Sequence, residues 1–400
     1  MRNIVGQAVV GDDLYGRQHE LARLREMLGQ GEHVLMLAPR RVGKTSLMLE
    51  LRRTPPGDCD VIYVDVEGGD GPADCVAAIL AELAADPRYR SRFEAIPFSS
   101  AIKDIFGRFQ SASIQLDALR IEVRDAIGRE WESAMAGLLS RFASPRDGQG
   151  NLLIVLDELP LLVSRMLRTD EGRDDAGRFL SRLRHWRQAP ELRGRLRTLV
   201  GGSIGLEGVL RRAGMSGLIN DLASFRLESW DQHTAEAFLR ELGGHYGFRL
   251  PEDAAARMLD LLRDPVPYHV QLFFSALRDS CQGKVASLSR EVIDRCFAER
   301  LAGASGTAHL DHYATRLEAV LDGGGYDTAC AILDLASRRR NGTGPAELDE
   351  LQQRDFRTFA SVLHDLEADG YLLRQGGRLC FRSNLVREWW RKRHMSGGAA

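Results

Sequence analysis

Apolar positions recur along the chain in two patterns. Leu21, Leu24 and Leu28 stand at helical spacing, and Gly31 ends that segment before an unbroken apolar run at 34–37. The spacing predicts a helix followed by a short buried strand. Gly43 then opens a second helix over 46–52, which Pro55-Pro56-Gly57 terminates. Residues 61–66 read as another buried strand and 73–85 as the helix after it. A helix over 131–142 leads through the turn Pro145-Arg146-Asp147-Gly148 to 152–156, the most apolar strand of the chain. Further strands are predicted at 196–200 and at Phe225-Arg226-Leu227. Strands alternating with helices imply an α/β fold with a parallel sheet of five strands covered on both faces.

Two stretches break this rhythm. Residues 86–129 read as an insertion, in which Pro87 and Pro97 punctuate a polar stretch. Ser113-Ile114-Gln115-Leu116 and Leu119-Arg120-Ile121-Glu122-Val123 then alternate like a hairpin. Beyond about residue 230 the strand signal vanishes, and 235–242, 254–263 and 268–279 all read as helices. From Asp327 the pattern becomes three helices and a glycine-turned hairpin, Tyr371-Leu372-Leu373, Gln375-Gly376-Gly377 and Arg378-Leu379-Cys380-Phe381. That order suggests a winged helix. The expected domains are a core over 1–228, a helical lid over 229–305 and a winged-helix domain with a basic tail over 306–400.

Four hundred residues, 44% of them hydrophobic, suffice for two or three cores. No run has the length of a membrane span, and no apolar signal-peptide stretch opens the sequence, so the expectation is a soluble, cytoplasmic chain that does not engage membrane. Six cysteines without a close pair read as reduced and structural. With 54 Lys and Arg against 56 Asp and Glu, the chain is not coated in nucleic-acid-binding charge. A local basic patch remains at the C-terminus: Arg374, Arg378, Arg382, Arg387, Arg391, Lys392 and Arg393 are opposed there only by Glu388.

The candidate chemistry lies after the first strand. Ala38-Pro39-Arg40-Arg41-Val42-Gly43-Lys44-Thr45-Ser46 links a buried strand to a helix. Such a loop meets the crowded oxygens of a nucleoside triphosphate with backbone N–H groups and the positive end of the helix. Gly43 permits the close approach, Lys44 is spaced to reach the β- and γ-phosphates, and the Thr45 hydroxyl is spaced to hold Mg²⁺. The strand at 152–156 ends in Asp157-Glu158, two acids whose desolvation a metal and an activated water would offset. Asp157 is expected to order the metal shell and Glu158 to polarise the attacking water, which favours hydrolysis over transfer to another acceptor. Ser203, past the strand at 196–200, is a candidate γ-phosphate sensor.

Together these residues resemble the STAND and archaeal-type P-loop ATPases of the AAA+ superfamily. Tyr15-Gly16-Arg17-Gln18-His19-Glu20 is similar to the group's hhGRxxE box, Arg40-Arg41-Val42-Gly43-Lys44-Thr45-Ser46 to its RRxGKTS form of the P-loop, and Leu156-Asp157-Glu158-Leu159-Pro160 to its acidic strand end. Asp264-Pro265-Val266-Pro267-Tyr268 resembles the GxP turn of the lid. The resemblance implies that Arg17 sits near the adenine, that Pro267 approaches the nucleotide, and that ATP and Mg²⁺ are bound by Arg17, Pro39 to Ser46, Pro267 and Asp157. It also implies nucleotide-dependent rearrangement or homo-oligomerisation. Ala38 and Pro265 stand where glycines are usual, and Ser203 where many members carry arginine. Arg211 and Arg212 read either as arginine fingers or as an exposed helical pair.

Three readings of the output stay open: an ATP-driven switch, a DNA-binding ATPase that uses the winged helix and basic tail, and a nucleotide-binding scaffold for a protein partner. The helix over 356–369 carries Asp365, Glu367 and Asp369 at its end against one Arg357, which would repel phosphates.

Overall fold

The structure, a computed structural model, describes residues 1–57, 59–87, 102, 105, 115–143, 151–284, 288–303, 309–321 and 323–395. The chain divides into two compact units. One, the sheet unit, comprises His19–Leu37 and Leu47–Arg226; the other, the helical unit, comprises Met1–Gln18, Ala38–Ser46 and Leu227–Ala400.

The sheet unit is built on five parallel strands: β1 (Val34–Leu37), β2 (Cys59–Asp65), β3 (Asn151–Asp157), β4 (Leu196–Gly201) and β5 (Ala223–Arg226). Their spatial order is β2-β3-β4-β1-β5. Every side chain of β3 after Asn151 is buried, as a central parallel strand covered on both faces requires. Placing β4 between β1 and β3 brings three strand ends level, since Gly201 pairs with both Met36 and Asp157. Ligands of open α/β sheets bind beyond the carboxyl ends of strands where the order reverses.

Among the described residues this part of the chain also carries the helices α1 (Gln18–Gly29), α2 (Lys44–Arg53), α3 (Pro72–Ala85), α4 (Leu116–Ile127), α5 (Trp131–Ala143), α6 (Leu159–Met166), α7 (Asp170–Gln188) and α8 (Leu206–Ala213). The hairpin expected around 113–123 is corrected here, for residues 116–127 are helical. Leu119, Val123 and Ile127 are buried at a spacing of four, and Ile121, the residue that made the stretch look alternating, is 52% exposed. The turn Pro145-Arg146-Asp147-Gly148 and most of 86–114 lie outside the described residues.

A polar knot ties β4 to the turn before β1. The backbone N–H of Thr198 donates to His33 Nδ1 at 3.2 Å, and Arg187 of α7 holds Asp221 through two bonds of 2.7 and 2.9 Å. The arginines of α7 are committed inside the unit: Arg178 to Asp175, Arg182 to Glu132, Arg184 to the Gly217 carbonyl and Arg187 to Asp221.

The helical unit contains α9 (Gln232–His245), α10 (Glu252–Leu262), α11 (Pro267–Ser280), α12 (Arg290–Cys296), α13 (Asp311–Val320), α14 (Gly323–Ser337), α15 (Pro345–Arg354), α16 (Phe356–Ala368), the antiparallel pair β6 (Leu372–Gln375) and β7 (Arg378–Phe381), and α17 (Asn384–Met395). One hydrophobic cluster runs through it, including Phe238, Phe248, Phe273, Phe274, Leu333, Phe359, Phe381, Trp389 and Trp390. The two tryptophans are packing residues; their indole N–H groups donate to Asp311 at 3.3 Å and Asp334 at 2.7 Å.

The C-terminal cations are largely paired within the unit. Arg374 meets Glu367, Arg378 meets Glu347, Arg382 meets Asp264 and Glu228, Arg387 and Arg391 share Glu388, and Arg393 meets Asp311. All six cysteines are free thiols. Among the described residues no helix is long and apolar enough to cross a membrane.

Candidate active site

The phosphate-loop candidates belong to the helical unit. Gly43 has φ +98°, a conformation that side chains with a Cβ rarely adopt, and Lys44 and Thr45 open α2 immediately after it. This is the strand-to-helix loop that the sequence predicts, with Ala38 following Leu37 of β1. The loop is braced from several sides. Arg17, 3% exposed, donates to the Val42 carbonyl at 2.7 Å and the Glu228 carbonyl at 2.8 Å. The Ser46 hydroxyl accepts the Val9 N–H at 3.0 Å.

Arg40 donates to the His312 carbonyl at 2.8 Å, and Arg41 lies over the Tyr268 ring at 4.6 Å. Tyr268 follows Pro267, which is buried at the first position of α11. Arg17 is therefore a strut of the loop, a task its place in a motif did not disclose. Among the described residues, Arg41 Nε, His269 Nε2 and His312 Nε2 are buried without a hydrogen-bond partner. Burial, with Arg41 nearby, pushes His269 down to about 3. Burial together with Arg40 and Arg41 takes His312 to about 2, so both imidazoles are neutral.

The acidic candidates and Ser203 belong to the sheet unit. Asp157, 2% exposed, closes β3, and Glu158, 8% exposed, follows with φ 63° and ψ 20°. Glu158 Oε2 accepts two bonds from Ser203, 2.9 Å from its backbone N–H and 2.8 Å from its hydroxyl. Sequence reasoning singled out both residues without linking them. Asp157 Oδ1 accepts the Glu158 N–H at 3.0 Å, and Oδ2 accepts the Tyr63 hydroxyl at 3.0 Å.

Tyr63 is the residue that sequence reasoning missed. In β2 it passes for one more β-forming aromatic, and only the register of β2 on β3 shows where it reaches. Burial, then Asp157, raises the Tyr63 phenol, which stays protonated and can only donate to a carboxylate. Asp65 pairs with Asp157 across the sheet, and its carboxyl is raised by burial, with Asp157, Glu67 and Glu158 adding repulsion. Arg211 and Arg212 are exposed in the last turn of α8.

Comparison with solved structures bears on the fold. A Walker-type ATPase of Pyrococcus abyssi superposes with a TM-score of 0.58 at 18% identity, covering 98% of this chain and all of its own. The fold is that of an AAA+-like P-loop NTPase. The ORC2 protein of Aeropyrum pernix, solved in ADPNP–ADP complexes, is similar with a TM-score of 0.50 at 14% identity over 97% of each chain. No protein-family model matches the sequence, and no curated protein matches it.

Proposed function

We propose that this chain binds ATP with Mg²⁺ and hydrolyses it, and that its helical unit responds to the nucleotide as a switch of the STAND or archaeal type. The observation that carries this reading is the holding of Glu158. A carboxylate at the end of a central parallel strand is fixed by two hydrogen bonds from the end of the next strand, in a sheet of AAA+-like order. That is what a base needs in order to orient a water rather than to bind a cation.

In this mechanism Gly43 and the backbone of the phosphate loop receive the phosphates, and Lys44 draws charge from the β- and γ-oxygens. Glu158 takes the proton of the attacking water through a carboxylate oriented by Ser203. Ser203 is on this reading a positioning residue. Arg17, Arg40 and Arg41 shape the loop, and Pro39, Val42, Ser46 and Pro267 line or brace it. Among the described residues no group of three or more Asp, Glu, His or Cys could hold a metal by itself.

The donors present nevertheless suit Mg²⁺, which takes one or two protein oxygens and completes its shell with phosphates and water. Asp157 and the Thr45 hydroxyl would hold it, and the crowding of Asp65 by Asp157 and Glu158 is a local negative charge that a cation relieves. Bound there, it would neutralise charge building on the phosphates.

For the helical unit we favour a role as switch arm over direct DNA reading. The three helices and hairpin at its C-terminus have the element order of a winged helix. However, the arginines that made the tail look basic are engaged by acids of the same unit. Phosphate contacts would have to displace those pairs. A protein partner, or a second copy of the chain in the ATP-bound state, fits such a surface better. The free thiols agree with a cytoplasmic setting.

Phosphate release from purified protein tests the enzymatic core of this reading. We expect Lys44→Ala to lose nucleotide binding, and Glu158→Gln to bind ATP while turnover falls by about 100-fold or more, the usual scale of general base removal. Absence of release by the intact protein in every condition, with and without DNA, overturns it.

A further inference from the structure

Gly202 follows β4 directly and precedes Ser203, which donates to Glu158 through both its N–H and its hydroxyl. The φ of Gly202 lies outside the left-handed region, so the backbone itself does not call for glycine. The surroundings do. A Cβ at this position would stand 2.6 Å from Pro160 Cδ, 2.7 Å from Pro160 Cγ and 3.4 Å from Glu158 Oε2. Carbon atoms pack at about 3.5–4.0 Å, so the proline ring occupies the space that a side chain at 202 would need. Pro160 Cδ belongs to a ring closed on the backbone nitrogen and cannot rotate aside.

The helix that carries Pro160 is also held on its other side. Pro160 stands in the first turn of α6, where the N–H groups of Leu161 and Leu162 donate to the Glu158 carbonyl at 3.1 and 3.3 Å. Of the eight residues of α6 all but Arg165 are buried, and Arg165 donates to the carbonyls of Glu67 and Gly69 in the turn after β2, to the latter at 2.8 Å. The helix is thus fixed between that turn and the end of β4, in close-packed surroundings. A Cβ at 202 could be accommodated by moving Pro160, two residues from Glu158, or by moving the backbone that carries Ser203. Either shift displaces one end of the Ser203–Glu158 contact, and because the displacement begins in the backbone it does so whatever else touches the carboxylate.

We propose that Gly202 is a positioning residue: the absence of a side chain there lets Pro160 seat against the end of β4, which fixes the spacing of Glu158 and Ser203 and with it the rate of the chemical step. The assignment rests on the ATPase reading above. Its part differs from that of Gly43, whose φ of +98° requires glycine although an added Cβ would meet nothing within 4 Å. Gly43 serves the backbone, and Gly202 serves a contact.

The test uses the full chain. Steady-state phosphate release over a range of ATP concentrations gives kcat, and affinity for a slowly hydrolysed ATP analogue is measured separately. For Gly202→Ala we expect kcat to fall by about 10-fold or more, since a misplacement of about 1 Å costs up to about 100-fold. Analogue affinity should stay within about twofold of wild type, as for a group that acts on the chemical step alone. In a Pro160→Ala background, where both clashing ring atoms are gone, the same substitution should change kcat by less than about threefold. In a Glu158→Gln background it should change kcat by less than about twofold, because the base it positions is gone.

A wild-type kcat in Gly202→Ala, or an equal loss with Pro160→Ala present, overturns the assignment. So does loss of analogue binding in the single variant, which marks a merely structural glycine. If Gly202→Ala does not fold, the double variant decides: folding with the kcat of Pro160→Ala supports the assignment, and continued failure to fold overturns it. If the unaltered protein binds no analogue and releases no phosphate, the ATPase reading itself fails and this assignment with it, a result distinct from all of these.

Discussion

Ser203→Ala isolates the contact on which the catalytic assignment of Glu158 depends. The hydroxyl donates to Glu158 Oε2 at 2.8 Å, and the backbone N–H of the same residue donates to the same oxygen at 2.9 Å. The substitution deletes the first bond and keeps the second, at a position only 9% exposed where the methyl group fits within the volume of the serine. A hydrogen bond to a charged group contributes about 1.5–3 kcal/mol. If the bond holds the carboxylate in its working orientation, loss of about 2 kcal/mol of transition-state stabilisation lowers kcat by about 30-fold.

Nucleotide affinity should move far less, since Ser203 acts on the base and not on the phosphates. Steady-state phosphate release over a range of ATP concentrations separates the two quantities. The decisive comparison is a double-mutant cycle with Glu158→Gln, in which Ser203→Ala should have almost no further effect. A kcat within about twofold of wild type would refute the positioning role. An increase in kcat would show that the bond restrains the base, and would refute it as well.

Two further outcomes follow from other parts of the molecule. Gly370, at φ +80°, lies so close to the phosphate loop that an added Cβ would stand 2.6 Å from Pro39 Cβ; Gly370→Ala should therefore weaken ATP binding and lower the unfolding free energy by at least about 1 kcal/mol, with wild-type affinity in equilibrium titration as the contrary result. Burial, then Arg187, with a smaller contribution from Arg197 against the opposing Asp221, takes His33 down to about 4. The unfolded chain, with imidazole near 6.5, binds the extra proton first, so stability is full above about pH 6.5 and is lost as pH falls toward 4. His33 alone costs about 2 kcal/mol at pH 5, and His33→Gln should flatten the fall in urea midpoint between pH 7 and pH 5; an unchanged slope refutes this account.

The parts of the fold that were legible are those whose signal is local. An unbroken apolar run such as 152–156 has few places to go other than a covered parallel strand, and Gly43-Lys44-Thr45 declares its backbone needs in its own residues. What escaped reading depends on partners distant in sequence. Leu119, Ile121 and Val123 fit both a strand period and part of a helical one, and the burial of Ile127 decides for the helix. The tail looked basic in part because some of the acids that neutralise it are remote: Asp264 lies 118 positions from Arg382 and Asp311 lies 82 from Arg393. Tyr63 and Asp157, 94 apart, meet only through strand register.

A last feature links the two sets of site residues without reference to any ligand. Of the four non-glycine residues with positive φ among those described, two are Arg41 in the phosphate loop and Glu158 after β3. Neither is asparagine or glycine, so each conformation costs on the order of 1 kcal/mol and persists only because its surroundings over-determine it. For Arg41 the surrounding is the Tyr268 ring, and for Glu158 the pair of donors on Ser203. Had the chain needed only stable turns at these points, glycine would have served at lower cost. On the proposed function, the contact that holds Glu158 in this conformation is also the one that orients the base. Strain of this kind cannot be read from an arginine or a glutamate in a sequence; it becomes visible when φ is measured.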